Sequence, residues 1–228
     1  MKLIIAGVGP GNPELITIEA VNHAKTSDII IVPRSHGDIK GMAEKIISHH
    51  LPDARYTYIT FPMIYNGHER DKIITSQLEA LKPEWEHADK IFFPVIGDSM
   101  LYSTGAYLLD AFRKIIPDIA AEFIPGISAH SLAASCAKRF LAMSDDVLAI
   151  IPGTADREKI RNVLAFTDAA AIYKPTALKD TNIHELTEGF NNIVRIDFAG
   201  NPERERIITG QAAIQDINEY MSIILLWR

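Results

Sequence analysis

Short apolar runs alternate with amphipathic segments along the first half of this 228-residue chain. Each run is too short for an isolated helix and is bounded by turn residues, so it predicts a buried strand. The predicted strands are Lys2–Val8, Asp28–Val32, Tyr56–Phe61, Ile91–Val95 and Glu122–Ile124. The segments between them repeat apolar residues every three or four positions, which is typical of helices packed on a sheet. This alternation predicts a mostly parallel sheet with right-handed crossovers.

The predicted helices of this half begin and end at recognisable residues. Asn12 and Pro13 are typical of the first positions of a helix, and Leu15, Ile18 and Val21 would form its apolar stripe. The other predicted helices run over Ile39–His49, from Gly67 to near Pro83, after Gly97, and over Ala129–Ala137.

The second half of the chain opens another α/β pattern. Its predicted strands are Val147–Ile151, Ala169–Tyr173, Ile193–Asp197, Arg206–Thr209 and Met221–Trp227, and its predicted helices are Arg157–Ala165 and Thr181–Glu188. The closing strand has no helix after it, so we expect antiparallel pairing here. Because Lys138–Asp146 is charged and has no clear period, we place a domain boundary there. The sequence thus predicts an α/β protein with a mostly parallel domain over 1–140 and a mixed domain over 145–228.

Composition and charge narrow the class of protein. Hydrophobic residues make up 47% and charged residues 23% of the chain, as in ordinary globular proteins. A net charge of -6 argues against a nucleic-acid surface. No apolar stretch approaches the roughly 18 to 20 residues that span a bilayer, and the short apolar run at the amino terminus predicts a first strand and no signal peptide. We therefore expect a cytoplasmic protein with no membrane partner.

The cysteine and histidine residues do not indicate a disulfide or a metal site. The single cysteine, Cys136, excludes an internal disulfide, and its place in an alanine-rich helix pattern indicates a structural thiol rather than a nucleophile. The histidines show no metal-ligand spacing with cysteine or acidic residues. We predict no metal site.

The segment Ile91–Leu109 reads as a buried strand, a glycine turn and a helix. Gly97 allows the backbone to turn sharply and approach a ligand, and Asp98 offers an acceptor beside it. In open α/β sheets, ligands bind outside the carboxyl ends of the strands. The alternative is that Asp98 and Ser99 cap the following helix and bind no ligand.

Two other turns follow predicted parallel strands. The segment Gly7–Pro13 superficially resembles a dinucleotide fingerprint, but Asn12 occupies the sixth position and Pro10 lacks an amide donor, so a nicotinamide or flavin site is disfavoured. The turn at Pro125–Ser128 leads into a helix that carries His130. Because this turn and the Gly97 turn belong to one sheet edge, we expect them to form a pocket. A surface histidine is the alternative for His130.

Taken together, these motifs resemble those of the tetrapyrrole methylases, which use S-adenosylmethionine. The resemblance rests on GVGPGNPELITIEA, GDSMLYST and PGISAHSLAAS in this order, and it extends to IYKPTALKD and FAGNPERERI. The LYST segment and Phe61–Met63 are most similar to the precorrin-2 C-20 methyltransferases of cobalamin biosynthesis, which act on precorrin-2 or cobalt-precorrin-2. This chain has Ser99 where the family usually has proline, and Lys174 where it often has methionine.

The resemblance implies two α/β domains with the methyl donor in the cleft between them, and a homodimer. It places the donor contacts at Pro10, Ile96, Gly97, Asp98, Leu101, Ser128, Ala129, Lys174, Ala199 and Gly200. The tetrapyrrole substrate carries many carboxylates, so basic side chains are expected beside the donor. Arg34, His36 and His130 are the candidates for binding them. No catalytic side chain is assigned, because an electron-rich meso carbon mainly requires alignment with the donor.

Three alternatives stay open at this point. The first is a methylase of the same fold that acts on another position of the corrin ring, and the second is one that acts on ribosomal RNA or on protein. A tetrapyrrole-binding protein without donor binding is the third alternative.

Overall fold

The chain folds into two compact units, Met1–Ser128 and Ala129–Arg228, in a computed structural model that describes residues 1–35, 40–62, 66–179 and 182–228. Each unit has its own five-stranded sheet. The predicted α/β class with two sheets is confirmed.

The sheet of the first unit is parallel in every described strand pair, as predicted. Its strands are β1 (Lys2–Gly7), β2 (Ile29–Arg34), β3 (Tyr56–Thr60), β4 (Lys90–Val95) and β5 (Ala120–Ile124). Their order is β3-β2-β4-β1-β5, so β1 and β4 lie in the middle and are buried beyond their first residues. Because the strands are parallel, all five carboxyl ends lie along one edge.

Helices cover the faces of this sheet. They are α1 (Ile18–Lys25), α2 (Met42–His50), α3 (Gly67–Ala80), α4 (Lys82–Trp85) and α5 (Gly105–Ile115). The core on one face includes Trp85, whose ring packs edge-on against Phe112 of α5 at 5.3 Å between centroids. The Trp85 Nε1–H donates to the Leu78 carbonyl at 3.0 Å, so this buried indole is satisfied.

The prediction of one helix from Asn12 is wrong. Asn12 Oδ1 accepts the Glu14 amide and caps only a short 3-10 turn, Pro13–Leu15. The chain then extends, and Thr17 Oγ1 accepts the Ala20 amide to start α1. A second cap therefore restarts the helix in a new phase, which leaves Ile18 81% exposed.

The second unit has a mixed sheet in the order β6-β7-β10-β8-β9. Its strands are β6 (Leu148–Pro152), β7 (Ala169–Tyr173), β8 (Asn192–Asp197), β9 (Arg206–Thr209) and β10 (Ser222–Trp227), and its helices are α6 (Ala129–Cys136), α7 (Arg157–Ala165) and α8 (Ile183–Leu186). The closing strand β10 runs antiparallel to both β7 and β8, which confirms the predicted antiparallel pairing. Since β7 and β8 are both antiparallel to β10, their carboxyl ends share one edge.

The division between the units falls before α6, whereas the sequence places the boundary at residues 140–145. Ala133 and Ala134 of α6 are buried in one cluster with Leu225 and Trp227 of β10. Small side chains let the helix lie close to the strand, and this packing assigns α6 to the second unit. Within the described ranges, no helix is both long and apolar enough to cross a membrane.

Candidate functional site

Four glycines bring together the turns that follow β1, β4 and β5, and we call Gly7, Gly9, Gly97 and Gly126 the glycine junction. Strand β1 lies between β4 and β5, so these turns follow three neighbouring strands. Gly9 and Gly97 exchange two backbone hydrogen bonds, with N···O distances of 3.2 and 2.9 Å. Both have positive φ, +81° and +73°, which a residue with a Cβ adopts only with strain.

The other two glycines permit a close approach of backbones. A Cβ on Gly7 would lie 2.6 Å from the Gly97 carbonyl oxygen and 2.7 Å from the Gly126 nitrogen. A Cβ on Gly126 would lie 2.7 Å from the Gly7 carbonyl carbon and 2.8 Å from its Cα. Since all these neighbours are backbone atoms, the turns after β4 and β5 meet only because β1 ends in glycine.

Asp98 and Ser99 connect the same turns through their side chains. One Asp98 oxygen accepts the Met100 amide at 2.7 Å, and the other accepts the Gly126 amide at 3.1 Å. The Ser99 hydroxyl, in a residue 4% exposed, donates to the Ile124 carbonyl at the end of β5 at 2.8 Å.

The interpretation of Asp98 and Ser99 as caps of the next helix is wrong. Helix α5 begins only at Gly105, and the amide of that residue is bound by Ser103 Oγ at 3.0 Å. Asp98 instead makes a turn within its own loop and a bond to the loop after β5, which is the geometry of a cross-link between turns.

The loop between β4 and α5 also presents apolar side chains to the surface. Ile96, Met100 and Tyr102 are 38%, 66% and 42% exposed. Exposed apolar groups beside backbone polar groups fit an adenosine, whose base needs an apolar slot and whose ribose needs hydrogen bonds. Pro10 is buried, and Leu101 and Ser128 are partly exposed at the same sheet edge. The residues of this unit therefore fit the donor that the resemblance implies.

In the second unit, too, a glycine that follows a strand lies close to the backbone of a neighbouring turn. The Gly153 amide after β6 donates to the Tyr173 carbonyl at 2.6 Å, and a Cβ on Gly153 would lie 2.7 Å from the Lys174 carbonyl oxygen. Lys174 itself has a left-handed backbone, with φ +53°. The predicted contact Lys174 thus lies in a tightly fixed turn.

The loop after β8 contains the predicted contacts Ala199 and Gly200, and it is held by its own side chains. The Gly200 amide donates to Glu205 at 2.7 Å, and the Arg204 guanidinium stacks on the Phe198 ring at 3.6 Å. These bonds fix a loop with two positive φ angles, +52° at Phe198 and +78° at Gly200.

His130 lies at the start of α6 and contacts Tyr173 at the end of β7. The Tyr173 hydroxyl accepts the His130 amide at 3.3 Å and forms a second hydrogen bond with His130 Nδ1 at 2.8 Å. The ring of His130 is thereby held at the same edge of the second sheet as Lys174.

Arg34 has a partner that the sequence did not reveal. Its Nε and Nη2 atoms bind the carboxylate of Glu44 on α2, each at 3.2 Å, and its guanidinium lies 3.3 Å from the centre of the Tyr58 ring. Glu44 is only 1% exposed, and Tyr58 also donates to it at 3.1 Å. The positive charge of Arg34 is therefore balanced inside the protein. His36 lies outside the described residues.

Cys136 is a neutral thiol. Burial, together with the neighbouring carboxylate of Glu205 that accepts from the thiol at 3.3 Å, raises the pKa of Cys136 to about 11. A nucleophilic cysteine needs a lowered pKa, so the raised pKa agrees with the structural role of Cys136, which stays a prediction.

We expect alkylation of native Cys136 to have its pH midpoint near 11, about two pH units above the ordinary midpoint of 9.0. At pH 8 the thiolate fraction would then be lower on the order of 100-fold than in urea-unfolded protein. Iodoacetamide labelling followed by mass spectrometry across this pH range measures it. A shared midpoint for folded and unfolded protein would contradict the assignment.

The structure groups the predicted site residues within each unit. Pro10, Ile96, Gly97, Asp98, Leu101 and Ser128 follow β1, β4 and β5, while Ala129, His130, Lys174, Ala199 and Gly200 lie at the start of α6 or after β7 and β8. Sequence reasoning missed Gly153, Tyr173 and Glu205. Gly153 directly follows a strand, which is the signal that identified Gly97. No comparable signal marks Tyr173 or Glu205.

The sequence is similar to a family model and to several curated proteins. The family model for Tetrapyrrole (Corrin/Porphyrin) Methylases matches residues 2–213. The cobalt-precorrin-2 C(20)-methyltransferase of Salmonella typhimurium is 30% identical over 174 residues, covering 76% of this chain and 72% of that protein. The probable cobalt-precorrin-2 C(20)-methyltransferase of Methanocaldococcus jannaschii is 27% identical, covering 100% and 96%.

A solved structure shares the fold. The uroporphyrin-III C-methyl transferase from Thermus thermophilus, complexed with S-adenyl homocysteine, superposes with a TM-score of 0.72 at 16% identity. The superposition covers 100% of this chain and 98% of the other.

Proposed function

The chain belongs to the tetrapyrrole (corrin/porphyrin) methylases, and we propose that it methylates the C-20 meso carbon of precorrin-2 or cobalt-precorrin-2 in cobalamin biosynthesis, with S-adenosylmethionine as donor. The observation that carries this proposal is the glycine junction, which brings the backbone turns after three neighbouring strands together at one sheet edge. Two relatives named as C(20)-methyltransferases support the choice of substrate and carbon.

We propose that the donor is held by the residues that the resemblance implies. In the first unit they are the turn residues of β1, β4 and β5: Pro10, Ile96, Gly97, Asp98, Leu101 and Ser128. In the second they are Ala129, Lys174, Ala199 and Gly200. When bound, the donor supplies a methyl group on a positively charged sulfur.

The protein's part in this reaction is alignment. The sulfur–methyl bond breaks as the bond to the meso carbon forms, and the hydrogen on that carbon then leaves as a proton. Because the reduced tetrapyrrole carbon is already electron-rich, the protein gains most by holding methyl and carbon in line and by excluding water. A rigid edge suits this task, since small displacements of reacting atoms lower rates strongly.

The substrate is a polyanion and the protein is acidic, so cationic and hydrogen-bonding groups must gather locally. We propose that Arg34, His36 and His130 contact its carboxylates, with Arg34 contributing hydrogen bonds rather than net charge because Glu44 balances its guanidinium. His130 has a ring already oriented by Tyr173, which reduces the freedom lost on binding. We also propose that the enzyme works in the cytoplasm as a homodimer, without nucleic-acid or membrane partners.

The experiment is methyl transfer from carbon-labelled S-adenosylmethionine to precorrin-2, with and without cobalt, followed by mass spectrometry and NMR of the product. We expect one labelled methyl group, attached to C-20, in at least one of the two metal states. A label on another ring carbon would refute the position. An unlabelled substrate in both metal states would refute the proposed activity.

A further inference from the structure

We propose that Ser99 is a positioning residue for the methyl donor, because its hydroxyl and the Asp98 carboxylate fix the turn after β4 to the turn after β5. This inference rests on the proposed function. It adds that the Ser99 hydroxyl and one Asp98 oxygen act by holding the backbone of the loop after β5, while the other Asp98 oxygen accepts the Met100 amide within its own loop.

The two turns have no sheet hydrogen bonds to hold them together. Strand β1 separates β4 from β5, so the ladders of β4 and β5 do not touch. Beyond Gly7, where β1 ends, the turns after β4 and β5 come together. Two side-chain hydrogen bonds join them: the Gly126 amide donates to Asp98 at 3.1 Å, and the Ser99 hydroxyl donates to the Ile124 carbonyl at 2.8 Å. These bonds join consecutive residues of one turn to both ends of the Ile124–Gly126 segment.

Burial makes the Ser99 bond hard to replace. Ser99 is 4% exposed and Ile124 is 1% exposed, so water has little access to either group. A buried carbonyl that loses its donor is left unsatisfied, and the backbone moves to recover a partner. The expected response is a shift of the Pro125–Ser128 turn relative to the Gly97 turn.

This shift would lower the affinity for the donor, because the proposed donor contacts lie on both turns. Ile96, Gly97 and Leu101 are on one side, and Ser128 is on the other. A ligand that must contact both at once loses affinity when their separation changes, even if each turn keeps its own shape. A role confined to folding stability predicts no such loss in the fraction of protein that stays folded.

The chain offers a matched control in Thr187. It is also 4% exposed, and its hydroxyl donates to the Ile183 carbonyl at 3.2 Å. That bond lies at the C-terminal end of α8, in the second unit, and does not touch the turns after β4 and β5. Thr187→Val removes a buried hydroxyl of the same kind and keeps the side-chain volume.

The test compares Ser99→Ala, Asp98→Asn and Thr187→Val with the parent protein. Calorimetric titration with S-adenosylhomocysteine, at a temperature well below unfolding, gives the dissociation constant, and thermal unfolding gives stability. We expect Ser99→Ala and Asp98→Asn each to raise the dissociation constant at least tenfold. Thr187→Val should lower stability but leave the constant within twofold. Steady-state kinetics should show the same split, with the donor KM raised more than kcat is lowered.

Ser99→Ala and Asp98→Asn proteins that are folded and bind within twofold of the parent would overturn the inference while leaving the proposed function intact. Equal weakening by Thr187→Val would also overturn it, since the effect would then be general destabilisation. A parent protein that binds no S-adenosylhomocysteine would instead refute the proposed function, and this inference with it.

Discussion

Gly7→Ala is expected to lower the affinity for S-adenosylhomocysteine by at least about 100-fold, equivalent to about 2.7 kcal/mol. The new Cβ would lie 2.6 Å from the Gly97 carbonyl oxygen and 2.7 Å from the Gly126 nitrogen. Both are backbone atoms in turns held by other hydrogen bonds, so the clash is relieved only by separating the turns. Overpacking at a rigid site also destabilises proteins by about 1 to 3 kcal/mol.

Gly67→Ala provides the control for this variant. Gly67 is the first residue of α3, and its Cβ would lie 3.4 Å from the side-chain Nη2 of Arg70, an ordinary contact. Calorimetric titration and urea unfolding should show this variant close to the parent. A folded Gly7→Ala protein that binds the donor product as the parent does would show that the junction tolerates a side chain, and would move the site elsewhere.

Arg34→Ala is expected to destabilise the protein by about 3 to 5 kcal/mol, which is typical when one partner of a buried ion pair is removed. Glu44 would be left as a carboxylate that is 1% exposed and has lost its hydrogen bonds from the guanidinium Nε and Nη2. Stacking on the Tyr58 ring would be lost as well. Urea denaturation at neutral pH measures the effect.

The double variant Arg34→Met with Glu44→Gln distinguishes the cost of leaving Glu44 unpaired from the cost of losing the Arg34 side chain. It removes both charges and keeps most of the volume, so we expect it to recover much of the stability that Arg34→Ala loses. Substrate binding is better read from Arg34→Lys, which keeps a positive charge. An Arg34→Ala protein within about 1 kcal/mol of the parent would show that the pair contributes little.

The sequence predicts the sheet and the glycine turns because both depend on local rules. An apolar run such as Ile91–Val95 is typical of a strand in a parallel sheet, whose side chains are buried on both faces of the sheet. Gly97 indicates a left-handed or closely packed backbone, and the structure gives it φ +73°. Parallel strands then bring the turns after β1, β4 and β5 to one edge without further information.

Partners that are distant in sequence could not be predicted in the same way. Nothing local to Arg34 reveals that Glu44 turns inward from α2 to meet it. The contact between His130 and Tyr173 joins residues 43 positions apart. The place of α6 also depends on tertiary packing, because its alanines fit either unit by pattern and only contact with β10 assigns them.

Hydrogen–deuterium exchange with and without S-adenosylhomocysteine tests most directly whether the donor binds at this sheet edge. We expect slower exchange in peptides that cover residues 96–104 and 125–130, while α7 (Arg157–Ala165), which carries no proposed contact, stays unchanged. Binding that protects other segments but leaves both of these turns unchanged would contradict the site.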